Sequence, residues 1–391
     1  MNRLILDSAV QEFILRHVNE DPARIALQKS PFPGLSSADL AQQAAGRKRS
    51  EKKLPLWARS PGIYFPPRLN IEQASSELSA SYKSRLLRGE RAADLTGGFG
   101  VDSYYFALRA ANVVHIEQNQ ELSEIAEHNL RTLGARNVSF VRSDSITFLE
   151  RTESSFDTIY IDPDRRTREK KAFLLEDTVP DVPGNMPLLL QKTKRLIIKT
   201  SPLLDIQSGL GMLKHVSEIH VVSIKNDCKE LLWVIDREFE KEPLIVCAML
   251  ANDGTRLYSF SSSREKDLHI TDFSMPLTFL YEPDVALLKA GCFKSVAADF
   301  DVAKLHKNTH LYTSAVLLKE FPGRTFRITG VSEYNSLKKH PVKKANIITR
   351  NFPLSPDEIK KKHKINDGGE LFLFFCTGPG DKLLVIHTER I

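Results

Sequence analysis

Between Arg91 and Arg237 the chain alternates short apolar runs with longer amphipathic stretches. Seven runs have strand length: Ala92 to Leu95, Val113 to Ile116, Val138 to Arg142, Thr158 to Ile161, Arg195 to Lys199, Glu218 to Ile224 and Leu231 to Arg237. The first six are separated by intervals long enough for helices, which predicts a parallel sheet covered on both faces. Only Lys225 to Glu230 separate the last two, too few for a crossover helix. These strands are therefore expected to pair antiparallel at one sheet edge.

Outside this stretch the pattern changes. Val10, Phe13, Ile14 and Val18 recur at helical spacing, and Ser37 stands as a cap before an Ala- and Gln-rich run. Arg47 to Lys53, with prolines at 55, 61, 66 and 67 beyond, reads as a connector. Helical signals resume from Asn70 to Leu87, where Ile71, Ala74, Leu78, Tyr82 and Leu86 could face a sheet. Past Glu240, a hairpin is expected from Leu244 to Leu250 and Arg256 to Phe260 across Asn252-Asp253-Gly254. A short helix follows at Asp284 to Ala290, then strands at Arg324 to Ile328 and Ala345 to Thr349 and a helix at Ser355 to Lys364. Leu371 to Thr377 and Lys382 to His387 complete the chain as a hairpin. The expected organisation is an N-terminal helical segment at 1–69, an α/β domain at 70–240 and an α+β region at 241–391.

Composition narrows the class. At 391 residues, 41% hydrophobic and 27% charged, the chain is ordinary globular protein, long enough for two or three domains. Its longest apolar runs, near Leu371 and Leu383, fall far short of the roughly 20 residues that span a bilayer. The first residues lack the features of a secretory signal, so a cytoplasmic location is expected and no membrane partner. Cys228, Cys247, Cys292 and Cys376 stand far apart, without metal-ligand spacing or a disulfide framework, so no metal is expected. The formal charge of +6 is modest, but basic residues cluster near the C-terminus. Lys338, Lys339, Lys343, Lys344, Arg350, Lys360, Lys361, Lys362 and Lys364 stand against only Asp357 and Glu358, a candidate phosphate-contacting surface or a solvated face.

Candidate chemistry concentrates at strand ends. Asp94-Leu95-Thr96-Gly97-Gly98-Phe99-Gly100-Val101-Asp102 lies between the first strand and a helix. Its glycines remove side chains from the turn, so a ligand can lie against main-chain N–H groups. Gly98, Gly100 and Ser103 nearly reproduce a dinucleotide fingerprint. Asp94 separates the possibilities: a carboxylate there can accept an ammonium but would repel a pyrophosphate. Glu117 ends the second strand, about 20 residues beyond the glycines, and could bind both hydroxyls of a ribose. Asp144 follows the third strand and can accept from an adenine amine. Asp162-Pro163-Asp164-Arg165-Arg166 places a polar turn at the end of the fourth strand, beside the topological switch point. Cys228 at the hairpin turn could be a nucleophile or a passive thiol. His128, His310 and His363 have no ligand-spaced partner.

The order Asp94 to Gly100, Glu117, Asp144, Asp162-Pro163 resembles the motifs of class I S-adenosylmethionine-dependent methyltransferases. The fourth-strand turn looks like the Asp-Pro-Pro type of enzymes that methylate nucleic acid. The chain departs from the pattern in Thr96, which replaces the first glycine, in Asp164, which replaces the second proline, and in lacking an aromatic at position 165. Tyr281-Glu282-Pro283-Asp284, Asn308 to Ser314, Phe321-Pro322-Gly323-Arg324 and Lys343 to Ile347 resemble a group of methyltransferases ending in a THUMP-like domain, here about 320–391. The resemblance implies a Rossmann-like seven-stranded sheet with a terminal antiparallel hairpin and an α+β THUMP-like region. It implies S-adenosylmethionine held by Asp94, Thr96, Gly97, Gly98, Gly100, Glu117, Gln118, Asp144 and Ser145, and catalysis by Asp162, Pro163, Asp164 and Arg165. The acceptor it implies is a base nitrogen in tRNA or rRNA. Open alternatives are an inactive RNA-binding protein on the same scaffold, a methyltransferase of another substrate, and a nicotinamide-dependent oxidoreductase.

Overall fold

A computed structural model describes all residues except 166–174, 272, 340 and 341; of Arg165, Lys338 and Lys339 it describes the backbone alone. The chain divides into two compact units, Met1–Glu218 with Leu231–Lys241, and Ile219–Glu230 with Glu242–Ile391.

The strands of the α/β fold are β1 (Arg91–Asp94), β2 (Asn112–Ile116), β3 (Val138–Val141), β4 (Phe156–Ile161), β5 (Thr193–Thr200), β6 (Val216–Ile224) and β7 (Asp227–Asp236). Their spatial order is β6-β7-β5-β4-β1-β2-β3. β1 to β5 run parallel, and β7 joins β5 antiparallel, with Lys199 opposite Leu232. Burial on both faces explains why Ile159, Tyr160 and Ile161 of β4 read as a continuous apolar run. The β6–β7 connection is tighter than the sequence suggests. Lys225 and Asn226 alone form it, both at positive φ, the geometry of a two-residue turn that matches strand twist, so β7 begins at Asp227.

Ile5, Val10, Ile14, Leu40, Trp57, Phe65 and Ile71 share one core with Phe106, Val113, Leu130, Tyr160 and Ile197, so residues 1–69 belong to the first unit. The longest N-terminal helix, Ser37–Ser50, starts at a capping box between Ser36 and Asp39. The helix expected from Asn70 to Leu87 is two, Arg68–Gln73 and Glu77–Ser84. Ala74 turns extended (ψ 153°) and Ser76 accepts a hydrogen bond from the Ser79 amide, a side-chain cap that competes with helix continuation.

In the second unit, Leu244–Ala251 and Gly254–Ser261 form the expected hairpin. A seven-stranded sheet follows, ordered Ala303–Lys304, Tyr312–Ser314, Phe279–Pro283, Gly323–Glu333, Leu383–Arg390, Leu371–Thr377, Asn346–Arg350. Successive side chains of Leu371–Thr377 alternate between two cores: Leu373 and Phe375 pack with Ile359 and Val385, and Phe374 and Cys376 with Leu280 and Ile386. The helix Pro356–His363 opens with a capping box between Ser355 and Glu358. Among the described residues, no helix is long and apolar enough to cross a membrane.

Candidate active site

A cleft of about 710 Å3 opens at the C-terminal ends of the parallel strands, where open α/β sheets bind ligands. The turn after β1 forms its floor. The Gly97 amide donates to the Ile116 carbonyl (2.8 Å) and the Gly100 amide to the Gly97 carbonyl (2.8 Å). A Cβ on Gly97 would lie 2.2 Å from the His115 ring, so glycine here lets the turn press onto β2. A Cβ on Gly98 would meet nothing closer than 3.8 Å, so the backbone conformation, at φ +53°, rather than space is what favours glycine here. Gly98 donates to Glu117 Oε2 (3.0 Å) and Asn119 to Glu117 Oε1 (2.7 Å), fixing that carboxylate across the turn.

Thr96, Gly97, Gly98, Gly100, Glu117, Gln118, Asp144, Ser145, Asp162 and Asp164 all line this cleft. Asp144 caps the helix Ser145–Arg151 by accepting from the Ile146 and Thr147 amides, both 3.0 Å. Ser145 donates to the Leu95 carbonyl (2.6 Å). Thr96 has a structural reason for replacing glycine: its hydroxyl accepts from the Asp162 amide (2.7 Å), tying the β1 turn to the β4 turn. Lys199, at the end of β5, donates to Asp162 Oδ2 (2.5 Å). Burial, then the neighbouring Asp162, raise the Asp164 pKa above the ordinary carboxylate value, with Lys199 opposing. Asp164 and Arg165 also pair with Thr178–Val179 in a short antiparallel ladder, which brings Val179 and Pro180 to the cleft wall.

Two expectations change. Asp94 does not border the cleft: it is 0% exposed, accepting from Ser103 Oγ (2.6 Å) and the Thr96 amide (3.2 Å). Its carboxylate is spent on holding the turn from beneath. Burial, and secondarily Asp102, push its pKa up to about 7. Ser103 also meets His115 Nδ1 (2.9 Å), and burial pushes that imidazole down to about 3. Pro163 is buried and not among the cleft-lining residues, whereas Lys199 is. The Arg165 side chain and all of Arg166 lie outside the described residues. Burial raises the Cys228 thiol to about 11, which suppresses the thiolate a nucleophile needs. Among the described residues, no group of three His, Cys, Asp or Glu could hold a metal.

Sequence reasoning missed one cluster. Asp102 lines the cleft beside Asn70, Gln73, Ala74 and Ser75. Lys83, 0% exposed, lies 2.7 Å from Asp102 Oδ1 and also donates to the Tyr160 hydroxyl (3.1 Å). Ser75 donates to Asp102 Oδ2 (2.7 Å). No motif marks Ser75 or Lys83; the available signal was a lysine on the apolar stripe of its helix.

The basic cluster also divides. Lys343, Lys344, Lys361, Lys362 and Lys364 are exposed. Arg350 instead donates to the buried Glu282 (2.5 Å), and Lys360 pairs with Asp367 (2.9 Å). The Lys338 and Lys339 side chains lie outside the described residues.

Comparison with known proteins places this geometry in a family. A family described as a ferredoxin-like domain matches residues 279–322, and one described as THUMP domain-like matches 323–390. An uncharacterized RNA methyltransferase of Mycoplasma mobile is 35% identical over 81 residues, 21% of this chain and 22% of that protein. The chain thus matches about a fifth of that curated relative's length. A crystal structure described as a "putative methyltransferase" from Porphyromonas gingivalis W83 is 33% identical, covers 100% of this chain and 98% of that one, and superposes with a TM-score of 0.89. The chain belongs to the family of the Porphyromonas gingivalis protein, class I S-adenosylmethionine-dependent methyltransferases that carry a C-terminal THUMP-like domain.

Proposed function

We propose that the cleft binds S-adenosylmethionine and that the chain methylates a nitrogen of a base in RNA, either tRNA or rRNA. The charge of the cleft carries this reading. Among the described residues, Asp102, Glu117, Asp144, Asp162 and Asp164 line it, with Lys199 as the lining cation. An excess of carboxylates among these residues disfavours a pyrophosphate and favours a donor bearing a sulfonium and an ammonium, which argues against the nicotinamide-dependent alternative.

The residues present fit that donor. Glu117, pinned by the Gly98 and Asn119 amides, keeps acceptor capacity for a ribose diol. Thr96, Gly97, Gly98 and Gly100 supply the backbone against which it rests, and Gln118, Asp144 and Ser145 border the adenine end. When bound, the donor supplies an electrophilic methyl group to an acceptor held in line with its sulfur. The chain's own part is alignment and proton removal. Asp162, oriented by Lys199 and Thr96, positions the acceptor nitrogen. Asp164 takes the proton, a task suited to a carboxyl whose pKa lies above the ordinary value.

The RNA assignment is supported by the THUMP-like match at 323–390, by the Mycoplasma relative and by the exposed lysines from Lys343 to Lys364. Mass spectrometry of nucleosides from cells with and without the gene tests it, with Asp162→Ala as complementing variant. A methylated nucleoside missing in the deletion, restored by wild type and absent with Asp162→Ala, is expected. RNA binding with no S-adenosylmethionine affinity in calorimetry would instead establish an inactive RNA-binding protein, and an intact nucleoside profile would leave only a non-RNA acceptor.

A further inference from the structure

The stretch ahead of β1 contributes to the cleft wall because its helix breaks. With Ala74 extended, Asn70, Gln73, Ala74 and Ser75 reach the cleft, and the following helix carries Lys83 inward. Lys83 donates to Ser75 Oγ (2.5 Å) and pairs with Asp102 Oδ1; Ser75 donates to Asp102 Oδ2; the Tyr160 hydroxyl stands 3.5 Å from the same oxygen. The Asp102 side chain remains 12% exposed, and it borders the cleft. A carboxylate offers about four lone-pair sites, so this network holds Asp102 rigid without exhausting its capacity to accept.

Asp102 stands in the first turn of the helix Val101–Ala107 that follows the glycines. Glu117 and Asp144 follow β2 and β3, on one side of β1 in the sheet, and Asp162 and Lys199 end β4 and β5 on the other. The wall formed by Asn70, Gln73, Ser75 and Asp102 belongs to neither group. Asp94, at the end of β1, is sealed from the cleft and cannot meet a ligand there.

We propose that Asp102, held by Lys83 and Ser75, accepts the α-ammonium of the methyl donor's amino-acid end, so that the segment upstream of the sheet completes the donor site. This inference rests on the donor reading of the cleft. A charge-assisted hydrogen bond from an ammonium to a preorganised carboxylate is worth about a 10- to 100-fold change in affinity.

Calorimetry with two probes tests the assignment on the full-length protein: S-adenosylhomocysteine, which has the amino-acid end, and 5′-methylthioadenosine, which keeps the nucleoside and lacks it. Asp102→Asn should weaken S-adenosylhomocysteine by about 10- to 100-fold and leave 5′-methylthioadenosine within about twofold of wild type. Because the single change strands the buried Lys83, the double variant Lys83→Met with Asp102→Asn is measured beside it, and the same selective loss is expected. An equal loss for both probes would assign the network a purely structural role and overturn the proposal. So would retention of S-adenosylhomocysteine binding. Wild type binding neither probe would reject the donor reading itself, and this proposal with it.

Discussion

Two carboxylates in this molecule sit in comparable surroundings and do different work. Glu282, in the second unit, is 1% exposed and accepts from Arg324 Nε (2.6 Å) and Arg350 Nη2 (2.5 Å). Strand register sets the first contact, because Glu282 lies opposite Arg324. Asp102, in the first unit, is held by the buried Lys83 and by Ser75, yet part of it faces a cleft. One cluster closes on itself, and the other ends at a wall. Burial of charge alone therefore does not mark a site. The two differ in that Asp102 is left bordering a cavity.

Three experiments sharpen the contrast. The largest effect is expected at Glu282. Replacing it with Gln leaves two arginines without their shared charge, a loss of about 3 kcal/mol for a pair whose arginines are themselves partly exposed. Urea unfolding should show the second unit's midpoint falling. An unchanged midpoint would mean that the arginines are solvated well enough alone and that the cluster is not structural.

Next in size is the pH response of the carboxylate sealed beneath the cleft. Asp94 has a folded-state pKa near 7, above its unfolded value, so its contribution is fully present below about pH 4 and is lost as pH rises toward 7. His115 is depressed to about 3, so its contribution is present above about pH 6.5 and lost as pH falls. Between pH 5 and 6.5 the two slopes oppose each other. Asp94→Asn removes one of them, and its stability at pH 5 relative to pH 6.5 should drop by about 2 kcal/mol more than that of wild type. Parallel curves for the two proteins would show that Asp94 is solvated rather than sealed.

The smallest effect concerns the exposed lysines. Lys361→Ala with Lys362→Ala should lower the salt dependence of RNA binding by about one to two contacts' worth, with a several-fold loss of affinity at moderate salt. Filter binding at a series of salt concentrations reads it. An unaltered slope would assign these lysines to a solvated face.

The sequence alone determined the layered architecture and which strand-end residues meet at one cleft. Strand-length apolar runs recur wherever a parallel strand is buried on both faces, so β1 to β5 were legible, and the short β6–β7 spacing dictated an antiparallel edge. Glu117, Asp144, Asp162 and the glycines could be placed because a sheet of this topology brings strand ends together.

Only the tertiary structure decided what each carboxylate faces. Asp94 and Asp102 flank the same glycine turn eight positions apart, but a strand end points under the turn and the helix start points over it. The helix break at Ala74, and with it the meeting of Ser75, Lys83 and Asp102, depended on a cap at Ser76 outcompeting helix continuation. The N-terminal helices joined the first unit because their apolar faces are buried by residues as distant as Ile197. Local patterns specify elements, whereas the direction of a side chain at a junction depends on packing between residues far apart in sequence.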